Sequence, residues 1–227
     1  MVEYQLIRSK RKTISIEVTA DAEVIVRAPL RAPKKLITGF VQQKESWILS
    51  CTQSAQQKRE KRESFAIQDG TSLLLLGREY PVALRQGVSP AFDGERILLP
   101  QGEPEDVRRA AVQFYRSFAK QHLPGRVEEF SRRTGLSASA VKVNGAAKRW
   151  GSCSGSNSLN FSWRLILAPP EAIDYVVVHE LAHTLHHNHS TRFWRLVEKI
   201  LPDYRSREEQ LRVLQHRLET ENWREKG

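Results

Sequence analysis

The densest run of groups able to do chemistry in this 227-residue chain is His179-Glu180-Leu181-Ala182-His183, with His189 six positions further on. On a helix, side chains four residues apart lie nearly one above the other. His179 and His183 can therefore meet one metal ion while Glu180 points just to the side. A zinc ion wants a third protein ligand, and His186, His187, His189 and Glu198 are the candidates. His187 would lie about 12 Å from His179 along an unbroken helix, too far for both to hold one ion at roughly 2.1 Å. Asn188 suits a helix end and Ser190 an N-cap, so a turn between them is predicted to swing His189 back toward the pair. His189 is the third ligand on this reading. Glu198, a carboxylate from the next helix, is the alternative, and His186 and His187 read as exposed polar residues.

Three protein ligands leave a fourth position for water, which separates a catalytic zinc from a closed structural one. Zinc lowers the pKa of that water to near neutrality, and Glu180 can take its proton as the water attacks a carbonyl. The chemistry implied is amide hydrolysis. The histidines alone could still bind a metal, and imidazole suits several divalent ions, so the glutamate is the residue that argues for an enzyme.

The element that must carry these groups is predicted from its flanks. Pro169 and Pro170 suit a first helical turn, and Glu171 and Asp174 complement the positive end of the dipole. Val178, Leu181 and Leu185 share one side of the helix, roughly opposite His179 and His183, so an apolar face anchors the helix and the histidine face opens to a cleft.

Around this motif the chain resembles the YgjP-like zincin metallopeptidases, relatives of the WLM and SprT groups. The resemblance is carried by Tyr175 to His183 (YVVVHELAH), Asn188 to Trp194 (NHSTRFW), Leu201 to Tyr204 (LPDY), Lys148 to Cys153 (KRWGSC) and Leu159 to Pro170 (LNFSWRLILAPP). It implies a gluzincin-like catalytic domain cleaving peptide or protein substrates, with zinc on His179, His183 and His189 and Glu180 as general base. It also implies an edge strand above the active-site helix that pairs with an extended substrate, for which Leu159 to Leu167 is the best candidate. Arg149, Trp150 and Tyr204 match motif positions, where they could bind substrate or stabilise an oxyanion, or simply pack. Met1 is the sole methionine, so a metzincin with its methionine turn is excluded.

The rest of the chain reads as an α+β fold, with a β-rich part over 1–100 and a zincin-like catalytic domain over 101–227. Alternation predicts a hairpin from Thr13 to Val18 and Glu23 to Arg27, a second around Gly77, and a short strand at Arg96 to Leu99. Lys35 to Cys51 has helical spacing, and Lys58 to Glu63 reads as a solvated helix end or linker. From Pro104 a long amphipathic helix is expected, continuing past Pro124 to Phe130. Val141 to Val143 is a strand, and Arg192 to Ile200 and Glu208 to Trp223 are helices.

Two cysteines, Cys51 and Cys153, are expected to be reduced thiols. No run approaches the ~18 apolar residues of a membrane span and the charged start lacks a secretory signal, so a cytoplasmic protein with no membrane partner is expected. The net charge is +10. A solvated basic surface is the simpler reading, and nucleic acid is the alternative partner. That alternative extends to function: a nucleic-acid-associated protein of SprT or WLM type, either a DNA-dependent protease or a binding module with a structural metal.

Overall fold

Three strands come first in this computed structural model, which describes residues 2–223: β1 (Gln5–Ser9), β2 (Ser15–Val18) and β3 (Val24–Pro29). β2 and β3 form the predicted hairpin, antiparallel from Ser15 opposite Arg27 to Val18 opposite Val24. Its turn puts Ala22 in the left-handed region at φ 65°. β1 runs parallel to β3 on the other side, and its mostly exposed side chains leave no alternation for a sequence reading to detect. Two helices follow, α1 (Lys34–Gln43) and α2 (Glu45–Ser64), broken at Lys44. The stretch Lys58 to Glu63, expected as a helix end or linker, forms the last turns of α2. Val24, Val26 and Ala28 alternate inward along β3 and pack with Ile37, Val41 and Ile48. Residues up to Phe65, with Leu218–Asn222, make one compact unit, and Ala66–Arg217 with Trp223 make a second.

The second unit opens with β4 (Ser72–Leu75), β5 (Arg78–Arg85), β6 (Ala91–Phe92) and β7 (Ile97–Pro100), ordered β4-β5-β7-β6. The long helix α3 (Pro104–Thr134) begins with a proline and two acids in its first turn and ends at Gly135 in the left-handed region, φ 76°. Pro124 lies inside it without ending it.

A second sheet, β8 (Ala140–Asn144), β9 (Gly151–Cys153) and β10 (Ser158–Ser162), has β10 in the middle. The edge strand expected over Leu159 to Leu167 is therefore corrected in two ways. β10 is flanked on both sides, which makes β9 an edge, and from Trp163 to Leu167 the chain is a 3-10 turn. The physical reason is burial: Trp163, Leu165, Ile166 and Leu167 are all interior, and a strand alternates faces, whereas a tight helical turn can direct a short apolar run into one core. Trp163 stacks on Tyr115 of α3 with ring centroids 5.6 Å apart, and Trp223 meets both rings edge-on.

Helices α4 (Pro170–Ala182), α5 (Thr191–Ile200) and α6 (Tyr204–Leu218) complete the chain. The start of α4 is seated by the β4–β5 turn, where the Leu76 and Gly77 N–H groups donate to Ile166 and Leu167 carbonyls at 2.8 and 3.3 Å. Only glycine fits there: Gly77 has φ 75°, and a β-carbon on it would stand 2.7 Å from the Pro169 α-carbon. An ion pair of Arg126 on α3 with Asp174 at 2.7 Å fixes the other side of α4. Ile173, Val176, Val177, Val178 and Leu181 anchor it in the core.

Candidate metal centre

His179 lies in the last turn of α4 and His183 directly follows its end. The chain leaves the helix sooner than Asn188 predicts. The Thr184 N–H donates to the Leu181 carbonyl, and the Leu185 and His186 N–H groups both donate to Ala182, a turn that tightens and stops. Leu185, placed on the anchoring face by its spacing, is instead 60% exposed. The segment then runs to Ser190, which takes the N-cap position of α5 without a side-chain cap bond.

This early turn brings His189 to the pair. Ring centroids are 4.9 Å apart for His179 and His183, 5.1 Å for His179 and His189, and 4.7 Å for His183 and His189. One ring nitrogen from each falls within 4.8 Å of the others, and the Nε2 atoms of His179 and His189 are 3.1 Å apart. Beneath them Phe193, fully buried, touches all three rings at 4.5 to 4.9 Å, and Trp194 stacks on His189. Both come from α5, whose Phe193 and Val197 are one buried face. Sequence reasoning did not assign Phe193 or Trp194 a role, although that spacing carried the signal.

The ring chemistry suits a cation. The His186 carbonyl is 2.9 Å from His183 Nδ1 and can only accept, so Nδ1 carries the proton and Nε2 keeps its lone pair. Burial, then His183 and His189, push the His179 pKa down to about 3. Burial also lowers that of His183. Neutral imidazoles are the form a metal requires. His179 Nδ1 is buried with no hydrogen-bond partner. Three imidazoles that each turn one ring nitrogen to a common point, two of them 3.1 Å apart, offer the donor set of a metal ligand, so the residues fit a metal. Glu198 is exposed and lies outside the group, as do His186 and His187, and among the described residues no fourth His, Cys, Asp or Glu joins it.

Glu180 is 5% exposed, lying under β9 instead of facing an open cleft. Burial pushes its pKa up to about 7 against the opposing pull of the Arg149 guanidinium. Its Oε2 has no hydrogen-bond partner. Gly151 touches it, and Cys153, two residues along the same strand, has its thiol pKa raised by burial and then by the Glu180 charge. Both cysteines are free thiols.

The other anticipated residues divide. Arg149 is exposed and reaches Glu180 through its charge. Trp150 is half-buried, and its carbonyl accepts from the Ser162 N–H at 2.8 Å. Tyr204 is buried, stacked on Trp194 and Tyr175 at 5.5 and 6.2 Å, and these two rings separate it from the histidines.

A family model for the YgjP-like metallopeptidase domain matches residues 12–214. The chain belongs to the YgjP-like family. A metal-dependent peptidase is what that membership supports, with peptide or protein as the substrate class. Among solved structures, the metallopeptidase zymogen abylysin of Pyrococcus abyssi is similar at 22% identity and a TM-score of 0.37, over 44% of this chain and 98% of its own. No curated protein matches. No helix among the described residues is long and apolar enough to cross a membrane.

Proposed function

We propose that this YgjP-like protein is a zinc peptidase, with His179, His183 and His189 as the metal ligands and Glu180 as the general base. The observation that carries the reading is the convergence of three imidazoles beside a buried carboxylate in a chain of a metallopeptidase family. A bound zinc supplies a Lewis acid and lowers the pKa of water toward neutrality.

The chain's own groups account for the rest. The His183 Nδ1–H bond to the His186 carbonyl holds one ring by its outer nitrogen, and Phe193 fixes the tilt of all three. Glu180, with a pKa near 7, can accept a proton from attacking water and return it to the leaving amine at neutral pH. β9 covers that carboxylate and excludes bulk solvent from it. Arg149, exposed and close enough to act on Glu180, is the proposed partner of the developing oxyanion, and Trp150 beside it a substrate contact. Tyr204 is proposed to act through Trp194, holding it against His189. We assign the catalytic apparatus to 101–227, in the zincin-like arrangement, and the protein to the cytoplasm. The three-donor set favours a catalytic metal over a structural one, which would be closed by four protein ligands.

The test is hydrolysis of an unfolded protein by the zinc-loaded chain and by Glu180→Gln. Zinc retained with hydrolysis lost supports the assignment; zinc retained with hydrolysis unchanged removes Glu180 from the mechanism.

A further inference from the structure

The strand register of the first unit gathers positive charge that is scattered in sequence. β1 and β3 are parallel and end together at Ser9 and Pro29, and β2 begins at Ser15 opposite Arg27, so the segments 10–14 and 30–33 leave from one end of the sheet. Arg8 ties them, its Nη1 donating to the carbonyls of Pro29, Leu30 and Ala32 at 3.2, 2.9 and 2.9 Å. The two segments and the first turn of α1 carry Lys10, Lys12, Arg31, Lys34 and Lys35, all exposed, together with the half-buried Arg11, and no acid.

None of these five exposed cations forms an ion pair among the described residues, and they share one end of one sheet. Elsewhere in the same unit Arg27, Lys58, Arg59 and Arg62 each face a carboxylate within 4.0 Å. Lys34 and Lys35 also stand at the positive end of the α1 dipole, where acids are the stabilising choice. The arrangement is thus self-repelling when the protein is alone, and a polyanion relieves it.

From this we infer that the sheet end formed by Lys10, Lys12, Arg31, Lys34 and Lys35 binds the phosphate backbone of nucleic acid. Closely spaced phosphates let each cation displace a condensed counterion, which four lysines and one arginine do without reading sequence. The site is independent of the peptidase reading and holds whether or not the metal centre is catalytic.

The test measures binding of short labelled single-stranded and duplex oligonucleotides to the full chain by fluorescence anisotropy, between about 50 and 200 mM salt. The variant replaces all five residues with Gln. A control replaces Lys61, Lys120, Arg132, Lys142 and Lys199 with Gln, removing equal charge elsewhere. The patch variant is expected to bind at least about tenfold more weakly at low salt, with a salt slope shallower by about 0.7–0.9 per cation removed, while the control stays within about threefold of wild type. Equal losses in the two variants, or no binding by wild type at low salt, overturn the proposal. So does binding to phosphatidylserine vesicles alone, the outcome in which the exposed Leu30 and Leu36 of the same segments enter a bilayer. Should the patch variant fail to fold, acetylation of the wild-type chain decides instead: nucleic acid must protect Lys10, Lys12, Lys34 and Lys35 over Lys120 and Lys142, and uniform protection refutes the site.

Discussion

Gly151 and Glu180 occupy space that a single methyl group would contest: a β-carbon at 151 would stand 2.6 Å from Oε1, 2.7 Å from Cγ and 2.9 Å from Cδ of the glutamate. The edge strand can lie on the carboxyl because residue 151 has no side chain. Gly151→Ala must therefore move either β9 or Glu180. Given the sensitivity of reacting groups to displacements near 1 Å, kcat is expected to fall on the order of 10²-fold while KM changes little. Zinc affinity, measured by competition with a chromophoric chelator, is expected to stay within a few-fold of wild type. Unchanged kcat would show that the contact does not set the carboxylate position.

Phe193 carries a second expectation, because one fully buried ring touches all three imidazoles. Phe193→Ala removes a core aromatic and should cost about 3–5 kcal/mol of stability. Phe193→Leu keeps most of the volume and should cost less, yet it frees the rings to tilt. Zinc affinity of the leucine variant should drop by about 10- to 100-fold, as for other groups that orient ligands from behind. Calorimetric titration with zinc checks this, and an affinity equal to wild type would leave Phe193 a packing residue only.

Metal removal should separate folding from loading. The core of the second unit is built on contacts among Tyr115, Trp163 and Trp223 that involve none of the three histidines, so the chelated protein should still unfold cooperatively. Zinc at 100 times its Kd should add about 2.7 kcal/mol. His189→Ala, at the exposed member of the proposed ligand set, should melt like the chelated wild type and gain little from zinc. A zinc-dependent rise in Tm equal to that of wild type would remove His189 from the ligand set.

The meeting of the three histidines was legible in the chain, and their surroundings were not. A four-residue spacing on a helix states by itself that His179 and His183 meet, and Pro170 with Glu171 marks where that helix starts. Where the helix stops was misplaced because Leu185 continues the apolar period, yet the turn that returns His189 ends the helix at Ala182 and leaves Leu185 in solvent. β9 has three residues and no alternation, so neither its edge position nor its contact with Glu180 has a local signature. The burial of Glu180 is a property of strand and helix together. The positive end of the first sheet escapes a linear reading for the same reason: the segments that carry Lys10 and Lys34 leave from one end of the sheet only through the parallel pairing of β1 with β3.

The metal-free protein should show two opposed titrations that one substitution separates. His179 has its folded pKa depressed from 6.5 to about 3, so the neutral ring contributes stability that is full above pH 6.5 and is lost as pH falls toward 3. His183 and the half-buried His122, both lowered by burial, act in the same direction. Glu180 acts in the other: its folded pKa is raised from 4.5 to about 7, so the protonated carboxyl is favoured in the fold and stability is lost as pH rises between those values. Between pH 4.5 and 6.5 the effects offset each other, each bounded at about 1.4 kcal/mol per pH unit for one proton. Glu180→Gln deletes the opposing titration. Denaturant unfolding of the chelated proteins should therefore show a steeper rise of stability with pH in the variant than in wild type across that window. Parallel curves would mean that Glu180 titrates near its ordinary value and that β9 does not shield it from water.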